Sequence, residues 1–133
     1  MKIKYRSLKY YKYQLMEDYI HPVDINRNTP IHTSFIRLTD RSLRMRAGYA
    51  WNGADWPAFN TENIIRASLV HDALYQLIHN KYLSIYMKDY ADKEFKNICL
   101  EDGMGKIRAG WCYWAVKIFG LRSTINAKNR ISK

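Results

Sequence analysis

Apolar and polar positions alternate along the first third of the chain. A period of two residues is typical of strands that bury one face, because successive side chains point to opposite sides of the strand. Residues 35–38 precede the second of the two clearest runs, and Thr39-Asp40-Arg41 is typical of a hairpin turn. We therefore expect an antiparallel sheet here. The alternating positions are Tyr11, Tyr13 and Leu15, and then Leu43, Met45, Ala47 and Tyr49.

The alternation ends at the segment Gly48–Pro57, whose glycines and proline predict a structured loop. Helical spacing of apolar residues begins after it. Asn60 or Thr61 is suited to cap a first helix, because a short polar side chain can accept from the free N–H groups of the first turn. The apolar positions of that helix are Ile64, Ile65, Leu69, Leu74 and Ile78.

Two more helices are predicted downstream. The second covers roughly Met87–Leu100 and ends near Gly103. The third carries an apolar stripe, which normally faces the core, and Gly120 is predicted to cap its C-terminus. The stripe consists of Ile107, Trp111, Trp114, Ala115 and Ile118.

The predicted fold class is therefore α+β, with N-terminal antiparallel β-strands followed by a three-helix C-terminal part. A length of 133 residues fits one domain that can bury a core without metals or dense disulfides. Within it we expect a β-rich part with its loop over residues 1–57 and a helical part over 58–122. The remainder, 123–133, is predicted to be a loosely held basic tail.

Composition excludes several classes of protein. An apolar fraction of 47% is too high for a disordered chain, and no apolar run is long enough to span a bilayer. The N-terminus lacks a continuous apolar stretch, so we expect no secretion signal. Cys99 and Cys112 are too few for a disulfide scaffold. They are interpreted as buried thiols in a reducing compartment, although one bridge between them is compatible with the sequence.

The positive charge lies at the two ends of the chain. The net charge is +10, no acid occurs among the first 16 residues, and none occurs after Asp102. Such a distribution favours polyanionic partners, which include nucleic acid, an anionic lipid surface and an acidic protein. Charge alone does not choose among them.

The candidate chemistry is on the first two helices. His71 shares an apolar helix face with Leu74 and Tyr75, and Asp72 lies at the flank of that face. On the second helix, Asp92 is on the inward face beside Ala91 and Phe95. A carboxylate in an apolar stripe is costly unless it is paired, and a facing histidine is a suitable partner. The pair predicts either a catalytic base oriented by an acid or a buried structural contact.

The sequence is also compatible with a cation site made of oxygen ligands near His71. The Asp72 carboxylate together with carbonyl oxygens of the Gly48–Gly53 loop would suit a hard cation such as Ca²⁺. His71, held in one tautomer by Asp92, would then be the general base that activates a water molecule.

Several motifs resemble an uncharacterised domain family that is widespread in bacteriophages and prophages. They cover about the last two-thirds of the chain, in order. The family often has Asp and Ser in the loop where this chain has Asn52 and Asp55. The resemblance implies a phage origin, in the host cytoplasm or the virion, and it transfers no activity to this chain. The matching segments are 48–57 (GYAWNGADWP), 68–75 (SLVHDALY), 91–95 (ADKEF), 101–104 (EDGM) and 115–120 (AVKIFG).

A shorter set of residues is similar to the phospholipase A2 signature, in which a His-Asp pair and a Tyr on one helix face an Asp on an antiparallel helix. The resemblance implies that His71 is the catalytic base, Asp92 its orienting acid and Tyr75 their support. It also implies a calcium ion held by Asp72 and by loop carbonyls. The loop ligands would be Tyr49, Trp51 and Gly53, with Trp51 replacing the usual middle glycine.

Three functions follow as expectations. The first is a phage-encoded, calcium-assisted lipid or ester hydrolase of phospholipase A2 type, acting at an anionic phospholipid surface. The second is a non-enzymatic virion component or binder of a host protein, in which the His/Asp cluster is structural. Nucleic-acid binding ranks last, because the sequence has no helix-turn-helix, zinc or RNA-recognition pattern.

Overall fold

The structure is a computed structural model that describes residues 3–7, 13–52 and 61–131, with side chains up to residue 118. The chain divides into two compact units, Met1–Gly53 and Ala54–Lys133. The first holds the described strands and the second holds the described helices, so the predicted α+β class is confirmed. In chain order the elements are β1 (Tyr5–Ser7), β2 (Tyr13–Leu15), β3 (Tyr19–Pro22), β4 (Ile31–His32), β5 (Ile36–Thr39), β6 (Ser42–Met45), β7 (Ala50–Trp51), α1 (Glu62–His79), α2 (Met87–Glu101) and α3 (Lys106–Ile131).

The strands of the N-terminal unit form two antiparallel sheets. One has the order β1-β2-β7 and the other the order β3-β6-β5-β4. In β5 and β6 the pairs Ile36↔Met45 and Leu38↔Leu43 bury apolar side chains on the same face. The hairpin between these strands is tighter than predicted. Thr39 belongs to β5, and the connection consists of Asp40 and Arg41 alone, with Arg41 in the left-handed region at φ 59°.

The second predicted strand, which the alternation extended to Tyr49, is interrupted. β6 ends at Met45, and the N–H of Ala47 donates to Oδ1 of Asp18 at 2.8 Å. Gly48 then turns the chain at φ 98°, where a Cβ would lie 3.1 Å from the ring of Phe35. The chain resumes as β7, which pairs with β2 in the other sheet. Part of the predicted loop is therefore a strand, and residues 53–57 of it lie outside the described residues.

In the C-terminal unit, α1 and α2 match the predicted helices closely. Thr61 occupies the N-cap position of α1, but its hydroxyl donates to Oδ1 of Asn63 at 2.6 Å instead of capping the helix. Asn60, the alternative cap, lies outside the described residues. Residues 64–71 are all buried, so α1 is the central helix of this unit.

The prediction for α3 is wrong in two respects. The helix does not end at Gly120 but continues to Ile131, so it includes most of the segment predicted as a basic tail. One glycine inside a helix costs only about 1 kcal/mol relative to alanine, and no proline follows it. The stripe Ile107–Ile118 is largely exposed, and between residues 106 and 118 the buried positions of α3 are Ala109, Cys112 and Val116. Small side chains at these positions fit a closely packed helix.

Candidate functional site

The candidate site lies where α1 and α2 pack antiparallel. Arg66, near the start of α1, bonds Asp102 at the end of α2 through two nitrogens at 3.0 and 2.9 Å. Tyr75, further along α1, bonds Asp92 in the first half of α2. From Arg66 to Tyr75 the contacts advance along α1, while their partners go back along α2 from Asp102 to Asp92. The antiparallel arrangement predicted from the inward faces of His71 and Asp92 is thereby confirmed.

Asp92 is the centre of the cluster. Its side chain has no exposed surface, and its two oxygens accept from three side chains. Oδ1 lies 2.8 Å from Nε2 of His71 and 2.6 Å from the hydroxyl of Tyr75. Oδ2 lies 2.9 Å from Nζ of Lys88. A buried carboxylate with this many donors is ionised and held in one orientation.

His71 is buried, with 8% of its surface exposed. Because an ionised carboxylate only accepts, the ring donates its Nε2–H to Asp92. Nδ1 lies 3.8 Å from Oδ1 of Asp72, which is too far for a hydrogen bond. The ring packs on Tyr75 with centroids 4.1 Å apart and meets the ring of Phe95 at 5.4 Å. The imidazole is therefore fixed in position with its second nitrogen on the side of Asp72.

Ionisation of the cluster follows from these contacts. Burial lowers the pKa of His71, but the carboxylates of Asp72 and Asp92 outweigh it and raise the pKa above its ordinary value. Burial alone would raise the pKa of Asp92, yet its bonds from His71, Tyr75 and Lys88 hold that pKa below its ordinary value. Burial and the Asp92 charge raise the pKa of Tyr75, so its hydroxyl stays protonated and donates.

Lys88 was missed by the sequence analysis. Its ammonium group donates to Oδ2 of Asp92 at 2.9 Å and to the backbone carbonyl of Lys117 in α3 at 3.2 Å. The signal that could have found it is the spacing of four residues between Lys88 and Asp92, which places both on one helix face. Lys88 supplies a positive charge to the carboxylate and ties the cluster to α3.

Arg66 is a second buried charge that the sequence analysis did not single out. It is 5% exposed and lies 2.7 Å from Oε2 of Glu101, in addition to its bonds to Asp102. This ion pair joins the outer ends of α1 and α2, away from His71. It is a structural link whose loss would change stability without touching the candidate chemistry.

The predicted calcium ligands are divided between the two units. Asp72 is in the C-terminal unit with 31% of its side chain exposed, beside His71. Tyr49 and Trp51 are in the N-terminal unit, where the Tyr49 carbonyl accepts from the N–H of Leu15 at 2.8 Å and Trp51 pairs with Tyr13 in the sheet. Gly53 lies outside the described residues.

Other potential metal ligands are not gathered. Within residues 3–7, 13–52 and 61–131 there is no group of three or more His, Cys, Asp or Glu side chains placed to hold a metal ion. Cys99 and Cys112 are free and buried, and burial, together with the nearby Cys112, raises the pKa of the Cys99 thiol to about 12. A thiol with such a pKa stays protonated and is a poor nucleophile or ligand.

Comparison of the chain with protein-family models, with curated proteins and with solved structures finds no match. The resemblances to a phage domain family and to phospholipase A2 therefore stay predictions. Among the helices of the described segments, none is long and apolar enough to cross a membrane.

Proposed function

We propose that this chain is a hydrolase of phospholipids or related carboxylic esters in which His71 is the general base. One observation carries the proposal. The fully buried carboxylate of Asp92 binds Nε2 of His71 at 2.8 Å and thereby leaves Nδ1 as the accepting atom of the neutral ring. General-base activation of a water molecule requires an atom that can accept its proton, and the fixed tautomer supplies one at Nδ1 of His71.

In the proposed reaction, Nδ1 of His71 accepts a proton from a water molecule while the water oxygen attacks the ester carbonyl carbon. Asp92 stabilises the imidazolium that forms. The same proton then passes to the leaving alkoxide oxygen as the ester C–O bond breaks, which yields a carboxylic acid and an alcohol and restores the neutral ring. Tyr75 and Lys88 touch Asp92 and not the reacting atoms, so they are positioning residues.

The calcium part of the proposal rests on the Asp72 carboxylate, which lies beside His71 and is partly exposed. A bound Ca²⁺ would polarise the ester carbonyl and stabilise the negative charge that develops on its oxygen. The Asp72 carboxylate would hold the ion on the same side of the His71 ring as Nδ1. In this proposal the enzyme is encoded by a phage and acts in the host cytoplasm or in the virion.

A second candidate function is supported by the saturation of Asp92. Its charge is already compensated by Lys88, and His71 is almost entirely buried. A cluster of this kind also stabilises and orients two packed helices without any chemistry. In that case the chain would be a phage virion component or a binder of a host protein, and substitutions in the cluster would change stability alone.

The hydrolase proposal is tested by following fatty-acid release from a dispersed short-chain phospholipid. The wild-type protein is expected to hydrolyse it, and His71→Gln is expected to lose on the order of 10²–10⁴ in rate. His79→Gln is the matched control, because His79 lies on the same helix but is exposed. Equal rates for the two variants, or no hydrolysis by the wild type, would contradict the proposal and favour the structural cluster.

A further inference from the structure

The side of α3 opposite its buried face exposes four large apolar residues. Their exposed fractions are 92% for Ile107, 55% for Trp111, 60% for Trp114 and 50% for Ile118. At about 100° per residue these positions lie within roughly 60° of one another around the helix. We call them the α3 stripe. Folded proteins rarely expose so contiguous an apolar strip without a partner for it.

Positive charges lie along both flanks of the α3 stripe. Lys106 and Lys117 are about 90–110° from its centre on one side, and Arg108 is about as far on the other. The first turn of α3 also lines an open groove formed by residues 105–108 and Trp111. Nζ of Lys117 lies 5.5 Å from the ring centroid of Trp114, so cation and aromatic ring are neighbours.

The sequence of α3 from Lys106 to Ile131 contains no acidic residue at all. Two copies of such a helix packed face to face would place like charges along both flanks, which opposes self-association. A polyanion with an apolar layer beneath its charges is a better partner for this surface than a second copy of the helix. Phosphate groups alone would bind the cations but would not remove the isoleucine side chains from water. The basic positions of α3 are Lys106, Arg108, Lys117, Arg122, Lys128 and Arg130.

We propose that the α3 stripe docks the protein onto an anionic phospholipid surface. Tryptophan prefers the boundary between headgroups and acyl chains, and lysine stems extend beside it to place their ammonium groups among the phosphates. The apolar stripe enters the boundary layer while the flanking cations bind the anionic headgroups. This inference deepens the proposed lipid hydrolase and rests on it for its role, but vesicle binding itself is measured without any turnover.

A direct contact joins the docking helix to the candidate site. Lys88 donates from one ammonium group to Asp92 and to the backbone carbonyl of Lys117, which lies next to Ile118 of the stripe. The connection between α1 and α2, just before Lys88, exposes Tyr82, Ile85 and Tyr86 as well. Docking through α3 would therefore be linked to the His71 cluster through Lys88.

The test is sedimentation of the full chain with vesicles of phosphatidylcholine containing phosphatidylglycerol, compared with vesicles of phosphatidylcholine alone. Binding is expected to the anionic vesicles and to weaken at high salt. Ile107→Ser is expected to reduce the affinity about tenfold or more, as is the double change Lys106→Gln and Lys117→Gln. The matched control is Ile20→Ser, since Ile20 is 53% exposed on β3 of the N-terminal unit and should leave binding unchanged.

Several outcomes would overturn the docking proposal. Two concern the vesicles: Ile107→Ser binds anionic vesicles as well as the wild type does, or only Ile20→Ser loses binding. The third is that the protein forms concentration-dependent dimers that Ile107→Ser abolishes. The fourth is that the protein binds duplex DNA in preference to vesicles. Failure of the hydrolase proposal is distinguishable. In that event the wild type and His71→Gln bind anionic vesicles equally and neither releases fatty acid.

Discussion

The ammonium group of Lys88 lies 2.9 Å from Oδ2 of Asp92, so the carboxylate that orients His71 through Oδ1 also binds a lysine through its other oxygen. This contact divides the negative charge of Asp92 between two partners. It limits how strongly the carboxylate stabilises the protonated form of His71. A general base must be able to return to its neutral form, so this limit matters. We therefore expect Lys88 to affect both the stability of the cluster and the protonation of the imidazole.

Replacing Lys88 by Met is expected to destabilise the protein by about 3 kcal/mol, because it leaves a buried carboxylate with one charged partner fewer. It should also raise the pKa of His71 further, since the imidazole then becomes the only cationic partner of Asp92 among the contacts of the cluster. The measurements are urea unfolding and titration of the imidazole resonances by NMR. Lys93→Gln is the control, because Lys93 forms an exposed pair with Asp89 at the same 2.9 Å, and surface pairs contribute little. A His71 pKa that falls in Lys88→Met would contradict this account.

The stability of the cluster should depend on pH in a defined way. The pKa of His71 is raised from 6.5, so its contribution is complete below that pH and is lost as pH rises through the folded-state value. The pKa of Asp92 is lowered from 3.8, so its contribution is complete above that pH and is lost as pH falls through its folded-state value. The difference in unfolding free energy between wild type and His71→Gln should be largest between these two pH values. Urea titrations at pH 3, 5 and 9 check this, and a flat difference would count against the ion pair.

Calcium at millimolar concentration is expected to raise the melting temperature, because a ligand that binds only the folded state stabilises it by mass action. Asp72→Asn should abolish the increase while leaving the protein folded. Asp89→Asn is a suitable control, since Asp89 is an exposed carboxylate on α2 that pairs with Lys93. An unchanged melting temperature of the folded wild type in Ca²⁺ would remove calcium from the account and leave His71 chemistry to be judged alone.

The hydrophobic periodicity of the helices predicted the contact between His71 and Asp92, because that contact depends on which face of each helix points inward. His71 and Asp92 are each on the inward face of an amphipathic helix, and two such faces in consecutive helices meet when the helices pack antiparallel. Lys88 was missed because a lysine near a helix start is usually a solvated residue. The burial of Asp92, which only the structure gives, shows that Lys88 binds inside the cluster.

The orientation of α3 could not be predicted from its pattern. Both sides of the helix carry apolar residues, and the larger ones formed the clearer stripe. Close packing instead buried the smaller residues Ala109 and Cys112. In the N-terminal unit, the alternation ran through Gly48 without a break in hydrophobicity, while the backbone turned there in a conformation that favours glycine. The spacing of apolar residues carries no information about which side of α3 is buried or about the turn at Gly48.

The most direct test of the central claim measures turnover of anionic phospholipid vesicles and melting temperature on the same two variants. If His71 is a general base, His71→Gln should remain folded and lose on the order of 10²–10⁴ in rate, and Asp92→Asn should lose less, because Asp92 only orients the ring. Asp92→Asn should also lower the pKa of His71, which moves the acidic limb of its remaining activity to lower pH. The contrary result is a wild-type protein that is inert on these vesicles, with both variants destabilised by about 1–3 kcal/mol through unpaired buried polar groups. That result would assign the cluster a structural role alone.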